Sequence, residues 1–245
     1  MRARVAVVLS VLLVAGCSGG DGSAEESPSA TASTTAAEST ATSEPAPSSE
    51  ETTATEEPAP TEPPAPVRLD LTDDVMLGPD ELEPVGESRG STDQAETWFL
   101  SLACSVPAAP EAVAVQTVSQ GLYESTDPVG LQTVAVFPDA ETASAVADRV
   151  RAAMDACVET PPGDSGSYSA EDVAVGAQGR GLANNYAELG DQGAGSYAAV
   201  TRRGNAVTIV AMLSGEESVG SARDAVTSGL TTAFDKLCSY DSAGC

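Results

Sequence analysis

Gly163-Asp164-Ser165-Gly166 is the string in this chain best placed to carry nucleophilic chemistry. In one large class of hydrolases, the serine of such a string attacks an acyl group after an imidazole takes its proton. This chain contains no histidine. Its single lysine, Lys236, falls in the last turn of a predicted helix, where a solvated cation complements the helix dipole. Pro161, Pro162 and Gly163 punctuate the stretch, and Asp164 and Ser165 suit local turn hydrogen bonds, so the string reads as a loop. Carboxylates are abundant, but Asp73-Asp74 and Glu216-Glu217 are adjacent pairs, and adjacent side chains rarely face one cleft. Glycoside hydrolysis needs two carboxyls roughly 5–10 Å apart across a sugar. With no phosphate-binding loop and no metal-ligand spacing, neither cofactor nor metal is expected. A hydrolase built on a carboxylate pair is the least favoured functional class.

The cysteines carry more information. Arg2 and Arg4 precede an apolar run over residues 5–14, broken only by Ser10, and then Val14-Ala15-Gly16-Cys17. The run is too short for a mature membrane span and has the flanks of an export signal. Its ending resembles a bacterial lipobox, in which the cysteine is acylated and becomes the new N-terminus. Residues 1–16 are thus expected to be a lipoprotein signal peptide, and Cys17 the site of a stable lipid anchor on the outer face of the cell membrane. Cys104, Cys157, Cys238 and Cys245 remain, an even count in an exported chain, which reads as two disulfides. Three pairings are open. The favoured one is Cys104–Cys157, closing a long loop, with Cys238–Cys245 pinning the C-terminus. A zinc site would need four converging ligands without histidine and without a CxxC pair.

Residues 17–66 form the next unit. After Cys17 the composition is almost wholly Ser, Thr, Ala, Glu, Pro and Gly, with ten acids and no Lys or Arg. Such a segment cannot bury enough apolar surface to offset its ordering entropy, so it is expected to be a disordered tether. Flexible chain of this length spans roughly 40 Å r.m.s.. The whole chain carries a formal charge of −26, and the part beyond the tether keeps 27 of the 37 acids. A surface of that sign repels nucleic acid and anionic headgroups.

Residues 67–245 suffice for one domain with a real core. Residues 77–86 read as a short helix with Pro79 in its first turn and Asp80 and Glu81 at its positive end. Residues 95–106 fit strand or helix. Residues 111–124 and 130–137 alternate as strands around a turn at Pro128 and Gly130. Asp139 is placed to cap a helix whose apolar face runs Val146, Val150, Met154, Cys157. The Gly- and Asn-rich residues 170–195 hold at most one short strand, near 172–175. Residues 196–213 form a hairpin turning at Gly204-Asn205, and its second arm is apolar on both faces, as in a central strand covered on both sides. A closing helix over 218–238 is capped by Ser218 and lined by Val226, Leu230, Phe234 and Leu237. The expected fold is α+β, an antiparallel sheet with two amphipathic helices packed on it and two disulfides.

Three stretches carry a family resemblance. "LQTVAVFPDAETASAVADRVRAAMDAC" resembles the strand-helix-cysteine segment of the PknH-like extracellular sensor domains of actinobacteria. "DVMLGPDEL" is similar to that family's entry helix, and "YAAVTRRGNAVTIVAML" with the closing helix to its C-terminal hairpin and helix. The match covers most of residues 74–237. It implies a two-disulfide antiparallel domain outside the membrane, with a cleft for a ligand. The family's late tryptophan-cysteine motif is absent, and the single tryptophan, Trp98, lies early.

The reading is therefore a non-catalytic surface lipoprotein whose extracytoplasmic domain binds or senses an envelope small molecule, glycolipid or protein. A protein-interaction or structural module of the envelope is the alternative. Candidate ligand contacts are Arg202 and Arg203 at the hairpin tip, Arg180, Asn184 and Tyr186 in the Gly-rich stretch, and Trp98. An apolar cavity would favour a small ligand, and an exposed apolar patch a protein partner.

Overall fold

In a computed structural model, the described residues are 67–82, 88–93, 96–121, 128–159, 166–186, 189–213 and 217–245. The signal segment, Cys17, the tether and Ser165 lie outside them. The expected α+β architecture is present. Strands β1 (Arg89–Thr92), β4 (Ala114–Gln120), β5 (Val129–Val136), β6 (Ser167–Asp172), β7 (Ala177–Asn185), β8 (Gly195–Arg203) and β9 (Ala206–Leu213) form one antiparallel sheet. Its order is β1-β4-β5-β9-β8-β7-β6. Strands β2 (Thr97–Phe99) and β3 (Ser105–Pro107) form a separate hairpin, which is how the described part of residues 95–106 resolves.

Helix α1 (Ala140–Cys157) starts where Asp139 accepts a hydrogen bond from the Thr142 amide at 2.7 Å. Val146, Val150 and Met154 are buried on one face of the sheet with Ala135, Val200, Val207 and Ile209. Helix α2 (Val219–Lys236), capped by Ser218, buries Val226, Leu230 and Ala233 on the opposite face with Val134, Val210 and Met212. The double-sided apolar pattern of β9 thus has its cause: alternate residues face different helices. Cys104 pairs with Cys157 and Cys238 with Cys245, at Cα separations of 6.2 and 4.8 Å.

Residues 170–195 correct the sequence reading. They contain the second half of β6 and all of the nine-residue β7, not one weak strand. Glycine here makes room. Tyr197 of β8 crosses directly over Gly181, and its hydroxyl donates to Glu171 Oε1 at 2.7 Å, so a Cβ at 181 would overlap the phenol. Close approach of this kind fits glycine inside a strand, where composition alone reads a loop.

Of the helix expected over 77–86, the described part holds a single 3-10 turn, Pro79–Glu81, and residues 83–86 lie outside the described residues. The entry segment around it covers the α2 face of β4 and β5, burying Val75, Met76, Leu77 and Leu82. Gln132, wholly buried in β5, accepts from the Leu77 amide at 2.6 Å. Lys236 is not a solvated cation. It donates to Glu81 Oε2 at 2.6 Å and to the Met76 carbonyl at 3.0 Å, tying α2 to the entry segment.

Burial opposes ionisation of Glu81, but the Gly78 amide and Lys236 hold its carboxyl below the usual range. Asp70, through Arg68, and Asp74, through Thr72, are also held low. Depressed carboxyls contribute stability that is present above about pH 4 and lost as pH falls through their folded values. We expect the melting temperature to be level from pH 7 to 5 and to drop below about pH 4. Glu81→Gln should shallow that drop and cost about 1 kcal/mol at neutral pH. Calorimetry across pH checks both.

Candidate functional site

On the α1 face, the two central-strand pairs are not covered alike. Helix α1 packs over β7, β8 and β9, while the β4–β5 end of this face lies beside the β2–β3 hairpin. A helix about 10 Å wide covers two or three strands at about 4.8 Å spacing, so one helix cannot roof seven. Between the hairpin and the sheet lies a groove of about 320 Å³.

Strand register builds its floor. Thr92, Thr117, Thr133 and Ile209 stand opposite one another across β1, β4, β5 and β9. Ser119, Leu131 and Ala211 form the next row. Leu131, Ile209 and Ala211 make the base apolar, and the hydroxyls of Thr117 and Thr133 share a hydrogen bond of 2.8 Å. The wall comes from the hairpin. Thr97 and Phe99 turn toward the groove, and Phe99 stays 43% exposed. Glu96 stands at the rim and is the only charged residue among the described residues lining the groove.

The period of two in β2 sends Trp98 the other way. It is 1% exposed and packs behind the hairpin against Val146 and Val150 of α1. The turn beyond is pinned at three points. Cys104 is bonded to Cys157 at the end of α1. The Leu100 and Ser101 amides donate to the Cys104 carbonyl at 3.1 and 2.8 Å. Ser101 Oγ meets the Tyr168 hydroxyl of β6 at 3.1 Å. The groove wall is thus a short, separately paired hairpin whose position depends on one disulfide and one buried hydroxyl pair.

None of the six contacts expected from sequence lines this groove, and the six do not converge on any one other site. Arg202 donates to Gln178 Oε1 and the Gly204 carbonyl. Arg203 stacks 4.7 Å from the Phe234 ring and donates to the Phe234 and Gly244 carbonyls, holding the C-terminal segment. Both border a second, more polar hollow of about 500 Å³ with Val67 and Tyr240. Arg180 bridges Asp155 of α1 and Asp172 of β6 at 2.5 and 2.9 Å. Asn184 is buried and donates to the Tyr168 hydroxyl at 3.0 Å. Tyr186 is half-buried at the end of β7, and Trp98 is core. The groove residues that sequence reasoning missed had a signal: Thr117 and Ser119 face the side of β4 opposite buried Val118, and two helices are too few to cover both faces of a wide sheet.

Chemically, the groove offers apolar area and hydroxyls. Among the described residues there is no cluster of three or more metal-ligating groups, and no helix is long and apolar enough to cross a membrane. No protein-family model matches the sequence, and no curated protein matches it. A fold comparison does find a similar solved structure: the crystal structure of the extracellular domain of PknH from Mycobacterium tuberculosis. The two share 14% identity with a TM-score of 0.50, over 71% of this chain and all of that one. The likeness is one of fold.

Proposed function

We propose that the protein is a non-catalytic surface lipoprotein, anchored through Cys17, whose domain captures or senses an envelope ligand in the groove beside the β2–β3 hairpin. The observation that carries this reading is the groove itself: an apolar floor on the sheet beside α1, with hydroxyls along it and a hairpin wall pinned by a disulfide. Ligand pockets are mostly apolar with few polar groups, and this one falls at the small end of their usual size. The fold it shares with the extracellular part of PknH agrees with a place outside the membrane, as do the disulfides.

Anchoring and capture are tested separately. Cys17→Ala, or an inhibitor of the lipoprotein signal peptidase, should leave an unprocessed precursor or a chain released from the membrane fraction. Unchanged processing and retention would remove the anchor. Native mass spectrometry of the full chain, extracted unreduced from its host envelope, should show an adduct that washing with detergent removes. A bare mass would count against capture.

Strand β1 favours a second reading. It ends the described sheet, and all four of its residues are exposed, so a partner protein could add a strand along it.

A further inference from the structure

Resting on the reading of the groove as a ligand site, we infer that its ligand is an uncharged amphiphile with a single short acyl or alkyl chain and a hydroxyl-bearing head. Four observations converge. The floor is apolar along its base, from Leu131 and Ile209 to Ala211, and the exposed Phe99 ring faces it from the hairpin. An alkyl chain laid there removes apolar surface of both partners from water.

The polar groups are hydroxyls. Thr117 and Thr133 bond each other, and two hydroxyls own two protons, so one donor remains to be directed outward, with lone pairs to accept. Ser119, in the next row of the floor, and Thr97, on the hairpin wall, add two more hydroxyls. That inventory matches alcohols, esters and sugars, which both donate and accept.

Charge supplies the third constraint. Among the described residues no lysine or arginine lines the groove, and the one charged group there is the Glu96 carboxylate. A carboxylate or phosphate head would find no counter-ion there and would meet the field of a chain with net charge −26. Desolvating an unpaired anion against an apolar floor is costly. Fatty acids and phospholipid headgroups are selected against.

Size supplies the fourth. A volume of about 320 Å³ equals about ten waters at roughly 30 Å³ each. That accommodates one chain of about ten to twelve carbons, since a methylene fills about a water's volume. It excludes the full body of a diacyl lipid.

The test uses the full-length chain and a neutral solvatochromic dye, Nile red, displaced by three twelve-carbon competitors below their micelle concentrations. These are dodecanoyl glycerol, dodecanoate and dodecyltrimethylammonium. We expect the dye to bind the wild type and to bind Phe99→Ser at least tenfold more weakly. That residue is partly exposed, so the variant should fold, and circular dichroism checks this. Dodecanoyl glycerol should displace the dye at least tenfold better than dodecanoate. Glu96→Gln should narrow that gap, and the advantage of the glyceride should persist in 0.5 M salt. Equal or better displacement by dodecanoate or by the quaternary amine, with dye binding still lost in Phe99→Ser, would leave the groove a ligand site and overturn the ligand class. Failure of the dye to bind, or binding indifferent to Phe99, would overturn the reading beneath it and the inference together.

Discussion

Replacing Cys104 and Cys157 together with serine should lower the unfolding free energy by about 4 kcal/mol and the melting temperature by about 8–16 °C. The bridge joins residues 53 apart in sequence, and the entropy of the unfolded chain that it removes grows with that separation. Losing the Cys238–Cys245 bridge, which spans 7, should cost about 2 kcal/mol on the same scaling. The two removals should also differ in kind. The first frees the end of the β2–β3 hairpin, leaving it held by the Ser101–Tyr168 hydroxyl pair and by Trp98. Trp98 is the only tryptophan, so its emission reports this one element. It should shift to the red when the first bridge is removed, with dye binding in the groove weakened at least as much as in Phe99→Ser. Removal of the C-terminal bridge should leave both unchanged. A stability loss of the expected size with unshifted Trp98 emission would mean that the hairpin holds its place without the bridge, and the account of the groove wall would fail.

How much of this was legible beforehand depends on range. The helix over 140–157 was readable because its cap, Asp139, and its apolar face are local, as was the β8–β9 hairpin with its glycine turn. The opposite placement of the two helices was implicit in β9, whose alternate residues are both apolar. Strand β7 was not readable. Its glycines look like loop composition until Tyr197, from another strand, is seen lying across Gly181. Strand β1 was not readable either, since Arg89–Thr92 has no apolar face of its own and pairs only through β4. The groove lay further still from the sequence. Thr92, Thr117 and Thr133 are ordinary strand residues, and only sheet register sets them in one row. Conversely, the conspicuous residues proved to be engaged in the frame. Arg202 and Arg203 stand out at a hairpin tip and Arg180 in a Gly-rich stretch, and cations are scarce in this chain, 11 Lys and Arg against 37 acids. That scarcity makes them valuable as ties: Arg180 satisfies two carboxylates, Arg203 a carbonyl at the end of α2, and Arg202 the Gln178 amide oxygen and the Gly204 turn carbonyl.

That frame is most exposed to damage at Gly204, where Gly204→Ala should cost about 3 kcal/mol. Two costs coincide there. The residue has φ +54° in the β8–β9 turn, a conformation that costs an L side chain about 1 kcal/mol or more. An added Cβ would also overlap the Tyr240 carbonyl and crowd the Asp241 Cα, which are backbone and cannot rotate away. Moving that carbonyl breaks its 3.1 Å bond from the Asn205 amide and unseats a wholly buried tyrosine whose hydroxyl donates to the Asp70 carbonyl at 2.7 Å. The entry segment and the C-terminal segment should loosen together, because Asn205 also donates to the Arg68 carbonyl. Gly190 is the control. It has φ +61° with nothing near its would-be Cβ, so Gly190→Ala should cost only the backbone strain, about 1 kcal/mol. The roughly 2 kcal/mol between the two variants, measured by urea unfolding, isolates the contact with Tyr240 from the shared φ. Equal losses would mean that the segment after α2 yields without cost, and that the entry and exit of the domain are not locked to the β8–β9 turn. Because the groove lies on the other face of the sheet, Gly204→Ala should leave dye affinity per folded molecule unchanged. Stability of the frame and occupancy of the groove are thereby separable in one pair of variants.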